Sequence, residues 1–408
     1  MTIFVLLFTL LLIPEMNCGG VSSGGTTTPP PGSPHIVSIQ VTQDVASYPF
    51  FGDLWANTWA DDDEIYFSFG DGTGLPAAPT RDGVNPGAFV SPWAGATQSS
   101  PGCYHIPPAP AGSSDPLWGL FCGAFDCSIA SACYPIAHFT DSGLVAMSGS
   151  VPNFNACPSA GCLSQVDLPG EPIPTGGWRN DDKVSSLLYV NGILYYAGHS
   201  PSVTPTQGYI ATSTDKGKTW TIVPGTPWTG SSEFRVLMFI NMGQSYQLNT
   251  DGYAYVMGTP LELETTYTDL QSVYLARVPV QSIASYSSYQ YLTAVDGNGN
   301  PTWGAAAQSA IPLAGLTTLA TGSAMYHAGT QEYLFLAGVN SPAGNLKGTL
   351  YAAPEPWGPW AAVGTIPGVN IDMLISKGAG STSVYYTAAG GTEPYNLNIG
   401  RIDMQVAN

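Results

Sequence analysis

The chain has 408 residues, enough for one large domain or two ordinary ones. Lys and Arg total 10 against 28 Asp and Glu, a net charge of −18, and a surface this acidic repels phosphate backbones and argues against a nucleic-acid partner. With 48 glycines, 35 prolines, 22 tyrosines, 10 tryptophans and no long apolar stripe of period 3.6, the sequence argues against a helical bundle and for an all-β sandwich, barrel or propeller.

The first element is an apolar run at residues 3–14, too short to span a bilayer and suited to the core of a signal peptide. Positive charge is missing before it, since the first Lys or Arg is Arg81. Cys18-Gly19-Gly20 follows, then a Ser/Gly/Thr/Pro tract to Pro34 that reads as linker. A cysteine in this position resembles a bacterial lipoprotein acylation site, although Glu15, Met16 and Asn17 stand where Leu and small residues are usual. Two readings stay open, a membrane tether through Cys18 and cleavage with release. Both imply export, to the cell surface or beyond. The expected division is residues 1–18 for export, 19–34 for linker and 35–408 for one folded domain, taken to be a monomer.

The folded part begins near His35 with Ile36-Val-Ser-Ile-Gln-Val41. The organising stretch comes next: Phe51-Gly-Asp-Leu-Trp-Ala-Asn-Thr-Trp59, the acidic run Asp61-Asp-Asp-Glu64, and Ile65-Tyr-Phe-Ser-Phe-Gly-Asp71-Gly72. Two aromatic-rich runs around one polar break predict a β-hairpin, with strands at 54–59 and 65–70 and a turn at 60–64. Phe-Gly-Asp occurs twice, ending at Asp53 and Asp71. Asp53 begins the first strand and Asp71 leaves the second, so both carboxylates are expected at the open end of the hairpin. Strands about 4.8 Å apart let two such side chains hold their carboxylates roughly 5–9 Å apart, as an acid and a base require for glycoside hydrolysis. The competing reading is that both aspartates only cap turns. The acidic run reads as an exposed turn, with calcium the alternative; no cofactor is otherwise indicated.

Residues 73–174 are rich in Gly and Pro and hold all six remaining cysteines, Cys103, Cys122, Cys127, Cys133, Cys157 and Cys162. This reads as a disulfide-pinned insertion. Six cysteines in an oxidising compartment suggest three disulfides, with fifteen pairings open. A repeat follows: an apolar run, a turn with Gly, and an aromatic run, at Leu187–Gly198, Tyr246–Gly258, Met325–Gly338 and Met373–Tyr386. The 51–72 hairpin is a fifth copy. Further strands are expected at Gly208–Ser213 with Trp220–Val223, and at Ser272–Val278 with Tyr289–Thr293. Five four-stranded units predict a five-bladed β-propeller. A weak sixth copy at Phe139–Met147 keeps six blades possible.

Ser213-Thr-Asp-Lys-Gly-Lys-Thr-Trp220 matches the Asp-box pattern Ser-x-Asp-x-Gly-x-Thr-Trp of sialidase-type propellers, where it is structural and lies away from the catalytic centre. With only five arginines and no Arg-Ile-Pro near the start, the chain does not resemble a sialidase in other respects. Gly177-Trp-Arg-Asn-Asp-Asp-Lys-Val184 precedes a strand, as Asp53 does. There Asp182 would tune the pKa of the acid pair. Trp178 and Arg179 would bind sugar, and a solvated charged turn is the competing reading. Glu233, before the strand at Val236–Asn241, and His199, after the 193–198 strand, are weaker substrate-binding candidates. Trp55 is placed either on sugar or in packing. A Gly-x-Ser-x-Gly elbow, a phosphate-cradling loop and a His-Glu-x-x-His motif are all missing.

Phe-Gly-Asp-Leu-Trp, Tyr-Phe-Ser-Phe-Gly-Asp-Gly, Thr-Asp-Gly-Tyr-Ala-Tyr-Val-Met-Gly, Val273-Tyr-Leu-Ala-Arg-Val-Pro279, Met325-Tyr-His-Ala and Glu355-Pro-Trp-Gly-Pro-Trp360 occur in this order. Together they resemble a family of secreted microbial five-bladed propellers with members classed as endo-D-arabinanases. The resemblance runs from about residue 36 to 405 around the cysteine-rich segment. It implies hydrolysis of furanoside linkages in an extracellular polysaccharide by aspartates near the propeller's start, which map onto Asp53 and Asp71. The reading from another class is a non-catalytic propeller that binds carbohydrate or protein.

Overall fold

A computed structural model of the chain describes residues 35–74, 97–100, 103–105, 118–122, 133–137, 143–156, 163–165, 183–200, 207–260, 270–318, 321–337, 347–367, 373–388 and 396–407. They form strands and a few short 3-10 turns. Among them no helix is long and apolar enough to cross a membrane. The expected export segment and linker lie outside the described residues, as do Cys127, Cys157 and Cys162.

The strands fall into successive groups. β1 (Ile36–Trp59) pairs antiparallel with β2 (Ile65–Gly74). The short strands β3 (Thr97–Ser100) and β4 (Cys103–His105) pair together, as do β5 (Trp118–Cys122) and β6 (Cys133–Ala137). β7 (Gly143–Gly149) then adds to β2, and β8 (Phe154–Ala156) and β9 (Leu163–Gln165) add to β7. The second group is β10 (Lys183–Val190), β11 (Ile193–Ser200), β12 (Gln207–Ser213) and β13 (Thr221–Ile222), hydrogen-bonded in chain order. The third is β14 (Val236–Asn241), β15 (Tyr253–Thr259), β16 (Gln271–Pro279), β17 (Gln290–Val295) and β18 (Pro301–Gly304), with β19 (Pro312–Thr318) also on β16. The fourth is β20 (Gly322–His327), β21 (Glu332–Ala337), β22 (Lys347–Ala353) and β23 (Ala361–Pro367). The last is β24 (Met373–Ile375), β25 (Ser383–Ala388) and β26 (Asn396–Val406). Its fourth strand is the first half of β1, which pairs with β26 from Ile36↔Val406 to Phe51↔Asn396.

The leading strands of these groups close a cycle: β1 touches β10, β10 touches β14, β14 touches β20, β20 touches β24, and β24 touches β1. β10 and β14 are buried along their whole lengths, β14 as the apolar run Val236–Ile240 and β10 with Lys183, Ser185 and Ser186 buried beside its apolar residues. Polar side chains stitch the cycle. Asn241 of β14 donates from Nδ2 to the carbonyls of Asn57 in β1 and Leu187 in β10, both at 3.2 Å. Its Oδ1 accepts from the Thr58 hydroxyl at 2.9 Å, and Thr58 accepts from the Tyr189 N–H at 3.0 Å. Asn57 donates to the Leu374 carbonyl of β24 at 3.1 Å. Ser186 and Ser323 accept from the N–H groups of Phe239 and Leu374, each at 3.0 Å. β14 and β20 meet directly in parallel, Ile240 against Ala324.

The apolar core is divided between neighbouring groups. One cluster joins Leu54, Tyr66 and Leu144 to Leu187, Leu194 and Tyr196. Another joins Leu334, Leu336 and Leu350 to Leu374, Val384 and Ile402. A third joins Trp55, Phe67 and Val145 to Ile375, Leu397 and Ile399. Sheets stacked face to face, each hydrophobic on both sides, produce this pattern.

The structure corrects two sequence expectations. The weak copy at 139–147 is no separate unit: Gly143–Met147 pairs with Ile65–Phe69 as the next strand of the first sheet. The run at Tyr246 is not a leading strand but a 3-10 turn, Gln244–Tyr246, and the leading strand is Val236–Asn241 just before it.

Candidate functional site

Asp53 lies where β1 passes from pairing with β26 to pairing with β2. The β1–β2 register breaks on both sides of it, between Phe51 and Asp53 and between Asp53 and Ala56. Leu54, the next residue, has φ +65°, a left-handed conformation that a branched side chain adopts only under constraint. The Trp55 indole supplies that constraint. Its Nε1 donates to the Gly52 carbonyl at 3.0 Å, and its ring packs 5.4 Å from Phe69. Bulges and strained residues of this kind re-aim a side chain and concentrate at functional sites. Asp53 itself is 8% exposed. Trp55 is 0% exposed, so of its two readings packing holds and sugar stacking does not: its face is spent on the core, and its role here is to fix the backbone before Asp53.

Asp53 stands opposite Gly70 in the β1–β2 ladder, and Asp71 follows Gly70 in the β2 backbone. Opposed residues in such a ladder have Cα atoms about 5 Å apart. The Asp71 side chain lies outside the described part, and Trp178, Arg179 and Asp182 lie outside the described residues altogether. Lys183, the first residue of β10, is buried opposite His199, also buried, in the β10–β11 register. Glu233 is half-buried two residues before Arg235, whose N–H donates to the Thr259 carbonyl at 3.1 Å and whose pKa is lowered by burial. Gly208 admits this approach, since a Cβ there would lie 2.5 Å from the Arg235 carbonyl. Asp53 lies at the change of partner within β1, Lys183 with His199 at the start of β10, and Glu233 just before β14, three leading strands in contact in turn.

The acidic turn lies at the other end of the first hairpin. Lys216 sits 2.8 Å from Asp61 and 2.5 Å from Asp62, and Lys377 sits 3.0 Å from Asp63. The lysine hydrogen bonds hold Asp61 and Asp63 below the usual carboxylate range. The calcium alternative for this turn gives way to a protein clasp, because ammonium groups occupy the positions a cation would take. Among the described residues no three His, Cys, Asp or Glu side chains gather as metal ligands do. Lys216 belongs to the 213–220 motif, which folds as a tight turn. Ser213 donates to Asp215 at 2.7 Å and accepts from Gly217 N–H at 2.7 Å, and Trp220 donates to the Gly217 carbonyl at 3.0 Å.

The sequence family described as "Domain of unknown function (DUF4185)" matches residues 172–389, more than half of the chain. The chain belongs to the DUF4185 family. The matched part of this DUF4185 member spans β10 to β25 and leaves Asp53 and Asp71 outside it. No curated protein matches the chain. Among solved structures, a Bacteroides ovatus protein provisionally described as a hydrolase is similar at TM-score 0.49 and 11% identity, over 89% of this chain and 90% of that one. A GH43_1 enzyme of Xanthomonas citri, solved with xylotriose, is similar at TM-score 0.44 and 12% identity, over 89% of each chain. The α-L-arabinofuranosidase of Podospora anserina, solved with cellotriose, is similar at TM-score 0.41 and 9% identity, over 92% of this chain and 96% of that one.

The polar stitching of the leading strands escaped the sequence reading. Its one trace is Ser186, Asn241 and Ser323 standing inside otherwise apolar runs.

Proposed function

We propose that this protein is an exported glycoside hydrolase whose five strand groups form the blades of a β-propeller. Its substrate would be an extracellular polysaccharide of furanoside type, such as an arabinofuranan. One of Asp53 and Asp71 protonates the leaving glycosidic oxygen and the other activates water. Asp182 adjusts their pKa values, and Trp178, Arg179, His199 and Glu233 contact the sugar. Export through the N-terminal segment, with or without a tether at Cys18, delivers the enzyme to that substrate.

The observation that supports this reading is the bulged backbone at Gly52–Leu54. A left-handed leucine costs about 1–3 kcal/mol, and the surrounding core sustains it beside one buried carboxylate. The ladder that sets Asp53 against Gly70 brings the second Phe-Gly-Asp to the same end of the hairpin. The closed cycle of five leading strands supports the blade count.

The test is turnover of arabinan, xylan and other neutral polysaccharides by Asp53→Asn and Asp71→Asn. Each variant is expected to lose at least about 100-fold in rate with an unchanged unfolding transition. Wild-type rates in both would overturn the assignment.

A further inference from the structure

A cleft of about 320 Å³ opens where β14 and β20 end. Its walls include Asn249, Asp251, Tyr326, Gln331, Tyr333 and Glu355. It does not belong to the Asp53 end. Thr58, five residues beyond Asp53, bonds to Asn241, and the cleft begins at Met242. At the strand rise per residue the two sites are roughly 15–20 Å apart.

The cleft has a defined interior. Tyr326 and Tyr333 face each other in the β20–β21 register with ring centroids 5.0 Å apart, tilted by 56°. Asp251 is held by three donors: Asn249 Nδ2 at 2.9 Å, the Tyr253 N–H at 3.0 Å and the Tyr255 hydroxyl at 2.6 Å. Gln331 is in the left-handed region at φ +59°, an unusual conformation for a glutamine. Glu355 stands on the rim, its pKa raised by desolvation and by the charge of Asp251. Among the described residues that line the cleft none is Lys, Arg or His, and Arg277, 4.1 Å over the Tyr253 ring, stands outside the lining.

We propose that this cleft is a second saccharide-binding site, separate from the Asp53 end and selective for neutral glycan chains. Tyrosine faces pack on the apolar faces of sugar rings, and their polar edges stay wet. Carboxylate oxygens accept from sugar hydroxyls, while Asn and Gln amides both donate and accept. A concave surface with a few convergent polar groups is the usual form of such a site. Two carboxylates on a lining with no basic side chain of its own disfavour uronates and sulfated sugars. The inference rests on the glycan-directed reading above but not on the Asp53–Asp71 chemistry.

The test is affinity electrophoresis of the full chain through gels containing arabinan, xylan or polygalacturonate. Retardation by a neutral polymer and none by polygalacturonate is expected. Tyr333→Ala should weaken retardation roughly tenfold in apparent Kd, and Gln331→Ala, at an exposed position, should weaken it without risk to the core. No retardation of the wild type by either neutral polymer, or equal retardation of the wild type and both cleft variants, would sink the proposal. Loss of turnover in Asp53→Asn bears only on the hydrolytic site, so the two readings fail separately.

Discussion

His327 and Glu332 stand opposite each other at the end of the β20–β21 hairpin, both fully buried, and burial moves their pKa values in opposite directions. His327 is lowered from 6.5, and its Nδ1 accepts from the Thr330 N–H at 3.1 Å while Nε2 faces the Ser383 carbonyl at 3.2 Å. Glu332 is raised from 4.5 and accepts the His35 N–H, which anchors the start of β1.

The pH dependence follows from those directions. A depressed histidine contributes stability above its unfolded value near 6.5, and that contribution is lost as pH falls through the folded value. A raised carboxyl contributes below its unfolded value near 4.5, and that contribution is lost as pH rises through the folded value. Between about pH 4.5 and 6.5 the two oppose each other. We expect Glu332→Gln to become less stable on acidification across this window, and His327→Gln to become more stable. Urea midpoints at pH 7, 6 and 5 check both; parallel profiles for the two variants would refute the opposition.

Asn241 satisfies two carbonyls and one hydroxyl from two other strands. Replacing it with Leu takes one hydrogen bond from each of those three groups, each worth about 0.5–1.5 kcal/mol net, so a loss of about 2–4 kcal/mol is expected. Asn241→Asp keeps the acceptor and loses the donor. Chemical denaturation should rank wild type above both variants.

Gly329 lies against the next hairpin so closely that a Cβ would meet the Ser381 carbonyl at 2.2 Å and that of Gly380 at 2.6 Å. Neither obstacle is a flexible side chain. Gly329→Ala should therefore cost about 1–3 kcal/mol. Gly192→Ala is the control for space alone, since nothing lies within 4 Å there and only its φ of +79° resists the change.

Cys122 stands opposite Cys133 in the β5–β6 ladder. Opposed strand residues have Cα atoms about 5 Å apart, inside the range a disulfide bridges. We expect this pair among the three bridges that six cysteines permit. Peptide mapping without reductant reads it directly, and a free thiol at either position would exclude it.

Local patterns carried much of the fold into the sequence. The register Trp59↔Ile65 to Ala56↔Ser68 follows from two aromatic runs around a polar break, and Leu187–Gly198 and Met373–Tyr386 fold as hairpins for the same reason. Pairings between distant segments left no such trace. Nothing local marks Ile36 as a partner of Val406, or Gly143–Met147 as a neighbour of β2 across the cysteine-rich stretch. Tyr246 misled because an apolar run before an Asn-Thr-Asp-Gly turn reads as a strand, yet Gly243 and Ser245 at positive φ turn the chain there. The duplicated Phe-Gly-Asp singled out Asp53 as a candidate, and the bulge at that position left no trace in the sequence. The burial of Trp55 and the meeting of Asp251 with Glu355 were not legible, because both depend on how the sheets stack.

The double duty of β1 has a consequence for biosynthesis. Its first half needs β26 and its second half opens the first sheet, so the earliest strand made waits for the last. Until β26 emerges, an edge about fifteen residues long stays unpaired, as sticky as any exposed strand. If the chain is exported as proposed, passage in an unfolded state would remove that hazard, because both ends then arrive in the same compartment before the loop is joined.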